Sequence, residues 1–166
     1  RMLMGFALMA SFGGLPLFYM GDEIGMLNDH TFTSVKEHAH DNRWLHRPVM
    51  DWSAVERARK GKGHEAELFG GVKHIIARRK AVRQLAADAP TRVVNLGNGK
   101  VFAFLRLADE GPLLGLFNMT ESWTSVSASV LRGLGILELR DLLGEGILTP
   151  DSDAVPVAPY GRMWLV

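Results

Sequence analysis

Two adjacent glycines, Gly13 and Gly14, followed by Leu15 and Pro16, set the first constraint on how this chain folds. Upstream, residues 2–11 are apolar on nearly every side, the pattern of a helix covered all round by neighbours. Downstream, Leu15-Pro16-Leu17-Phe18-Tyr19-Met20 is one continuous apolar run stopped by Gly21. Lacking alternation, it predicts a strand covered on both faces. A helix, a tight turn and a buried strand make half of a βαβ repeat, so a parallel sheet or a β/α barrel is the natural parent. The apolar stretch at the start is too short to span a bilayer, has no basic leader longer than Arg1, and runs into the glycines without a small-residue cleavage pattern. It therefore reads neither as a membrane span nor as a signal peptide, and a chain beginning at Arg1 inside a helix is expected to be cut from a longer one.

Residues 26–52 are polar, irregular and rich in His, Asn, Asp and Arg. Loops of this length are uncommon unless they serve a function. Following the end of a parallel strand, this one lies where barrel enzymes build their active sites. Leu68, Val72, Ile75, Ile76, Val82 and Ala86 then form a helical stripe over residues 65–87, closed by Asp88-Ala89-Pro90. Arg79 falls inside the stripe, where its stem either snorkels along the core edge or carries a buried guanidinium paired with a carboxylate. Beyond Pro90 the pattern changes to short β-like runs at residues 92–95, 100–107, 113–118, 124–129 and 162–166. Gly97-Asn98-Gly99 and Glu110-Gly111-Pro112 mark turns between them, which predicts a small antiparallel sandwich.

Composition narrows the function classes. With 19 basic and 18 acidic residues the net charge is +1, so no electrostatic bias favours nucleic acid or anionic lipid. The absence of cysteine removes disulfides, thiolate metal sites and thiol catalysis. The glycines at 13 and 14 belong to no phosphate-binding loop, and Ser11 has no nucleophile-elbow context. Asp22 and Glu23 resemble a catalytic acid pair only superficially, because adjacent residues at a strand end point to opposite faces and cannot flank one glycosidic bond. His30, His38, His40 and His46 share a loop but lack any helical ligand spacing, so we expect no metal.

The run Asp41-Asn42-Arg43-Trp44-Leu45-His46-Arg47-Pro48 is more informative. It joins a planar cation, an indole face and several hydrogen-bonding groups, the chemistry that a polyhydroxylated sugar needs. Alone it is a weak signal, and Arg43 and Arg47 read more readily as solvated loop charges.

Three segments supply context. Residues 13–25, from Gly13-Gly14-Leu15-Pro16 to Gly21-Asp22-Glu23-Ile24-Gly25, resemble the region around the eighth barrel strand of α-amylase-superfamily enzymes. Ile75-Ile76-Ala77-Arg78-Arg79-Lys80 is similar to that superfamily's eighth barrel helix, and Pro159-Tyr160-Gly161 with Trp164-Leu165 to the last strand of its C-terminal sandwich. Leu27-Asn28-Asp29 with residues 41–48 is most similar to amylosucrase and its sucrose-hydrolysing relatives, although Arg47-Pro48-Val49-Met50-Asp51-Trp52 partly echoes oligo-1,6-glucosidases and trehalose synthases.

The resemblance implies an α/β then β chain. Residues 1–90 would close a (β/α)8 TIM barrel with its seventh helix, eighth strand, long loop and eighth helix, and residues 91–166 would form the antiparallel β-sandwich. It implies a retaining enzyme that moves glucosyl units from sucrose to α-glucan, with no cofactor and no metal. The alternatives on the same scaffold are a sucrose hydrolase, a trehalose synthase or another α-glucosidase, and in another class a noncatalytic carbohydrate-binding sandwich. Arg43 matches an active-site arginine that salt-bridges an aspartate at the base of the glucosyl pocket. Trp44 and His46 have no matched role and are expected to shape the loop. The catalytic carboxylates lie on earlier barrel strands, so no residue here inherits them and the 166 residues alone are expected to be inactive.

Overall fold

The computed structural model describes all of residues 1–166. Its helices are α1 (Met2–Phe12), α2 (Trp52–Arg59), α3 (Gly63–Ala81) and α4 (Ala128–Gly133). Its strands are β1 (Thr91–Val94), β2 (Val101–Arg106), β3 (Leu113–Asn118), β4 (Thr124–Ser127), β5 (Arg140–Asp141), β6 (Gly146–Ile147), β7 (Ala154–Val157) and β8 (Arg162–Leu165). The chain gathers into two compact units, one of residues 1–16 with 73–166 and one of residues 17–72. The division falls within α3.

In the larger unit an antiparallel sheet runs in the order β1-β2-β3-β8-β5-β6, beside a two-stranded sheet of β4 and β7. Alternation along β2 and β3 sends side chains to two different covers. Ala103, Leu105, Leu114 and Leu116 meet Val126 and Val155 of the small sheet and Leu131 of α4. Phe104, Leu113, Phe117 and Trp164 meet Ala7 and Ala10 of α1 and Ile75 of α3. All six residues of β3 are buried, as a strand covered on both faces requires. Gly115 stands opposite Phe104 on β2 and Trp164 on β8. A Cβ there would lie 2.4 Å from Cζ of Phe104, so this position has room only for glycine.

Arg106 closes the helix-covered face. Its side chain is fully buried. Nη1 donates to the carbonyl of Phe12 at 2.9 Å and to Oγ1 of Thr91 at 2.8 Å, Nη2 to the carbonyl of Ala86, and Nε to that of Gln84 at 3.3 Å. One guanidinium thereby ties together the end of α1, the turn after α3 and the first strand. Gly13 continues past α1 with φ 149°, and a Cβ there would sit 2.7 Å from Nη1 of Arg106.

Several expectations are corrected. Residues 15–19 join no ladder, and Leu15 and Leu17 are 87% and 81% exposed. An extended run becomes a strand only where a neighbour supplies hydrogen bonds, and no strand among these residues lies alongside it. Helix α3 ends at Ala81 rather than near residue 87, because Val82 turns extended and a 3-10 turn follows over Arg83–Leu85. Arg79 pairs with no carboxylate. Its guanidinium donates to the carbonyl of Ala10 and, at 2.9 Å, to that of Gly14, satisfying acceptors where α1 ends.

Replacing Arg106 with methionine keeps the apolar stem but strands the carbonyls of Phe12 and Ala86. Arg106→Met is expected to destabilise the fold by roughly 3 kcal/mol, at ~1–3 kcal/mol for each buried group left without a partner. Urea unfolding measures it, and an unchanged midpoint would contradict the role given to Arg106.

Candidate functional site

The smaller unit carries the polar loop, and its two ends are anchored before its middle is arranged. Ile24, Ala54 and Ala58 form a small core with Met26, Met50 and Phe69 against them, so apolar residues from both loop ends share one cluster. Asp51 caps α2 by accepting the N–H groups of Ser53 and Ala54 at 2.9 and 3.0 Å. From the next turn of α2, Arg57 donates to Glu65 through Nε at 2.9 Å and Nη2 at 2.5 Å. Glu65 is buried, and the hydrogen bond from Arg57 holds its carboxyl below the ordinary range. A cavity of about 340 Å³ opens beside Met26, Asp51, Arg57 and Glu65.

Within the loop, short polar contacts replace a core. Asp29 accepts the N–H and hydroxyl of Thr31 at 2.8 and 2.6 Å, while its own N–H reaches the carbonyl of Leu45 at 2.8 Å. Nδ1 of His46 lies 3.1 Å from Oδ1 of Asn28. The rings of His38 and Trp44 stack with centroids 3.6 Å apart, and the Arg47 guanidinium lies 5.8 Å from the Trp44 ring centre. Trp44, His46 and Arg47 are thus engaged in the loop's own packing. Asp22 begins a 3-10 turn, and Glu23 accepts the N–H of Gly21 at 2.8 Å, a local structural use of that carboxylate. No three His, Cys, Asp or Glu side chains converge on a point that could hold a metal.

Arg43, the residue singled out from the sequence, is open to solvent. Its side chain is 72% exposed, against 24% for that of Asp41. The partner expected for it lies outside these residues; here it is held by Asp41, two positions earlier. Oδ1 of Asp41 accepts the Arg43 N–H at 3.0 Å and Nε at 2.9 Å, and Oδ2 accepts Nη2 at 2.7 Å. The same aspartate caps the 3-10 turn Asn42–His46. The hydrogen bond from Arg43 holds the Asp41 carboxyl down to about 2. Asp41 belongs to the run that drew attention to Arg43, yet its own part is visible only as the Asp-x-Arg spacing of a capped turn. The Asp51, Arg57 and Glu65 anchor left no sequence signal beyond the Asp51-Trp52-Ser53 start of a capped helix.

Residues 91–166 match the family of the amylosucrase C-terminal domain. Solved structures of α-amylase-superfamily enzymes share the fold over nearly its whole length. AmyP in complex with maltose matches with a TM-score of 0.72 and 17% identity, over 99% of this chain and 34% of its own. The trehalulose synthase MutB gives 0.67 and 15%, over 99% and 38%, and the maltogenic amylase from S. marinus 0.64 and 22%, over 99% and 19%. These identities carry the fold alone. The 166 residues span about a third or less of AmyP and of the maltogenic amylase, and under two fifths of MutB.

The Arg43–Asp41 clamp has a definite pH dependence. A carboxyl depressed from 3.8 to about 2 contributes stability that is fully present above its unfolded value and is lost as pH falls through about 2. A carbon-13 titration of the Asp41 carboxyl is expected to give a midpoint near 2. A midpoint at the ordinary 3.8 would show that the clamp is not formed in solution.

Proposed function

We propose that these residues are the C-terminal part of a retaining α-glucosyl-transfer enzyme acting on sucrose, with residues 1–90 belonging to its (β/α)8 barrel and residues 91–166 forming its C-terminal domain. The observation that carries this reading is the similarity of residues 91–166 to the amylosucrase C-terminal domain. An exposed arginine in the loop of residues 26–51 adds the group such a pocket needs.

In the chemistry, a carboxylate attacks the anomeric carbon of the glucosyl unit as its bond to fructose breaks and a general acid protonates the departing oxygen. A hydroxyl of an α-glucan, or water, then displaces the carboxylate and gives its proton to the same residue, now a base. Two inversions at one carbon retain the configuration. The nucleophile, the general acid and the stabilising aspartate come from sequence outside residues 1–166, and the 166 residues alone are inactive. Arg43 orients glucose hydroxyls and fixes a neighbouring carboxylate, for which its planar fork is suited and a lysine ammonium is not. Hydrolysis of an α-glucoside without transfer is the second reading, favoured by the Arg47-Pro48-Val49-Met50-Asp51-Trp52 run.

In the complete enzyme, Arg43→Lys and Arg43→Ala are both expected to lower kcat/KM for sucrose by about two or more orders of magnitude, as when a reacting group loses its orientation. Arg47→Ala is expected to change stability more than turnover, since Arg47 lies against Trp44. Near-normal turnover in Arg43→Ala, with loss in a folded Arg47→Ala, would transfer the role to Arg47 and the second reading.

A further inference from the structure

A guanidinium has two edges that can grip an acceptor pair: one formed by Nε and a terminal nitrogen, the other by the two terminal nitrogens. Asp41 takes the first edge of Arg43 completely, with Nε 2.9 Å from Oδ1 and 3.0 Å from Oδ2, and Nη2 2.7 Å from Oδ2. The second edge stays open, in a side chain that is 72% exposed. The two partners are placed unequally. Asp41 is the sheltered member: its N–H donates to the carbonyl of His38 at 2.9 Å, its carbonyl accepts from Trp44 at 3.2 Å, and its carboxylate accepts the Arg43 N–H at 3.0 Å. His38 and Trp44, which flank it through those bonds, are stacked on each other. The anchor is therefore fixed to the turn, while the gripped cation projects from it.

Resting on the glucosyl-transfer reading, we propose that Asp41 is a positioning residue for Arg43, holding its inner edge so that the outer Nη1–Nη2 edge is presented in one orientation to the hydroxyls of a neutral sugar. A free arginine would have to lose its rotamer freedom when substrate arrives, and the clamp removes much of that cost beforehand. It also offsets most of the cation's charge, which suits a polyol ligand better than an anionic one.

A double-mutant cycle in the complete enzyme tests this, with sucrose kcat/KM as the readout. Asn is as good a turn cap as Asp, so Asp41→Asn keeps the acceptor for the Arg43 N–H while losing the ionic, two-pronged grip. Asp41→Asn is expected to lower kcat/KM roughly tenfold, the scale of one hydrogen bond to a charged group. In an Arg43→Ala background the same change is expected to have less than about a twofold effect, because the two residues act as one unit. A purely structural role in the loop would give equal losses in both backgrounds, and that result, or no loss in either, overturns the proposal. If Arg43→Ala itself leaves kcat/KM unchanged, the glucosyl-pocket reading of Arg43 falls first, and the positioning role of Asp41 falls with it.

Discussion

The buried guanidinium of Arg106 is the contact on which the larger unit depends. Helix α1 ends in carbonyls that no helical N–H can reach, at a residue, Phe12, that is itself exposed. Arg106 and Arg79 supply the missing donors from β2 and α3, reaching the carbonyls of Phe12, Ala10 and Gly14. Neither arginine has a carboxylate within hydrogen-bonding distance. Burial lowers the pKa of both, and Arg79 lowers that of Arg106 further, while Asp88 acts in the opposite direction. The negative end of the α1 dipole and the converging carbonyls stand where a counter-ion would be. Gly13 completes the arrangement by leaving space for Nη1 in a backbone conformation essentially reserved for glycine.

The two units use different means to hold their chains. In the larger one, a sheet covered on both faces leaves little freedom, and several buried polar side chains make multiple hydrogen bonds, although Nε1 of Trp164 has none. Asn118, for example, donates to the carbonyls of Ser122, Val157 and Ala158 and accepts from the N–H and hydroxyl of Thr120. In the smaller unit, the loop rests on aspartate caps at Asp29, Asp41 and Asp51 and on its two anchored ends. Caps fix backbone direction without burying side chains, which is how a loop can be ordered and still present an arginine to solvent. The candidate site draws on this second strategy.

Sequence patterns reached those features that local chemistry decides. The glycine-rich turn at residues 97–99 separates β1 from β2, and Gly111 separates β2 from β3, because both need backbone freedom that few other residues have. The long β runs in the middle were legible for the same reason. Other features answer to tertiary context. Strand β7 contains Pro156, which argues against a strand unless it lies at an edge, and β7 has only β4 beside it. The two-residue strands β5 and β6 are too short for any periodicity. The run expected to continue to residue 129 stops at Ser127, whose hydroxyl caps α4 through the N–H of Val130. Arg43 is singled out by the family resemblance of its run rather than by residue type alone, and its clamp by neither, since an Asp two positions before an Arg is common in solvated loops.

Sucrose supplied to the complete protein, with fructose, glucose and glucan quantified together, tests the glucosyl-transfer reading most directly. Transfer from a covalent glucosyl intermediate leaves fructose in excess of free glucose, with the difference recovered as α-glucan. Equal amounts of fructose and glucose would mean hydrolysis alone. Intact sucrose, with hydrolysis of maltooligosaccharides by the same preparation, would contradict the assignment of sucrose as donor.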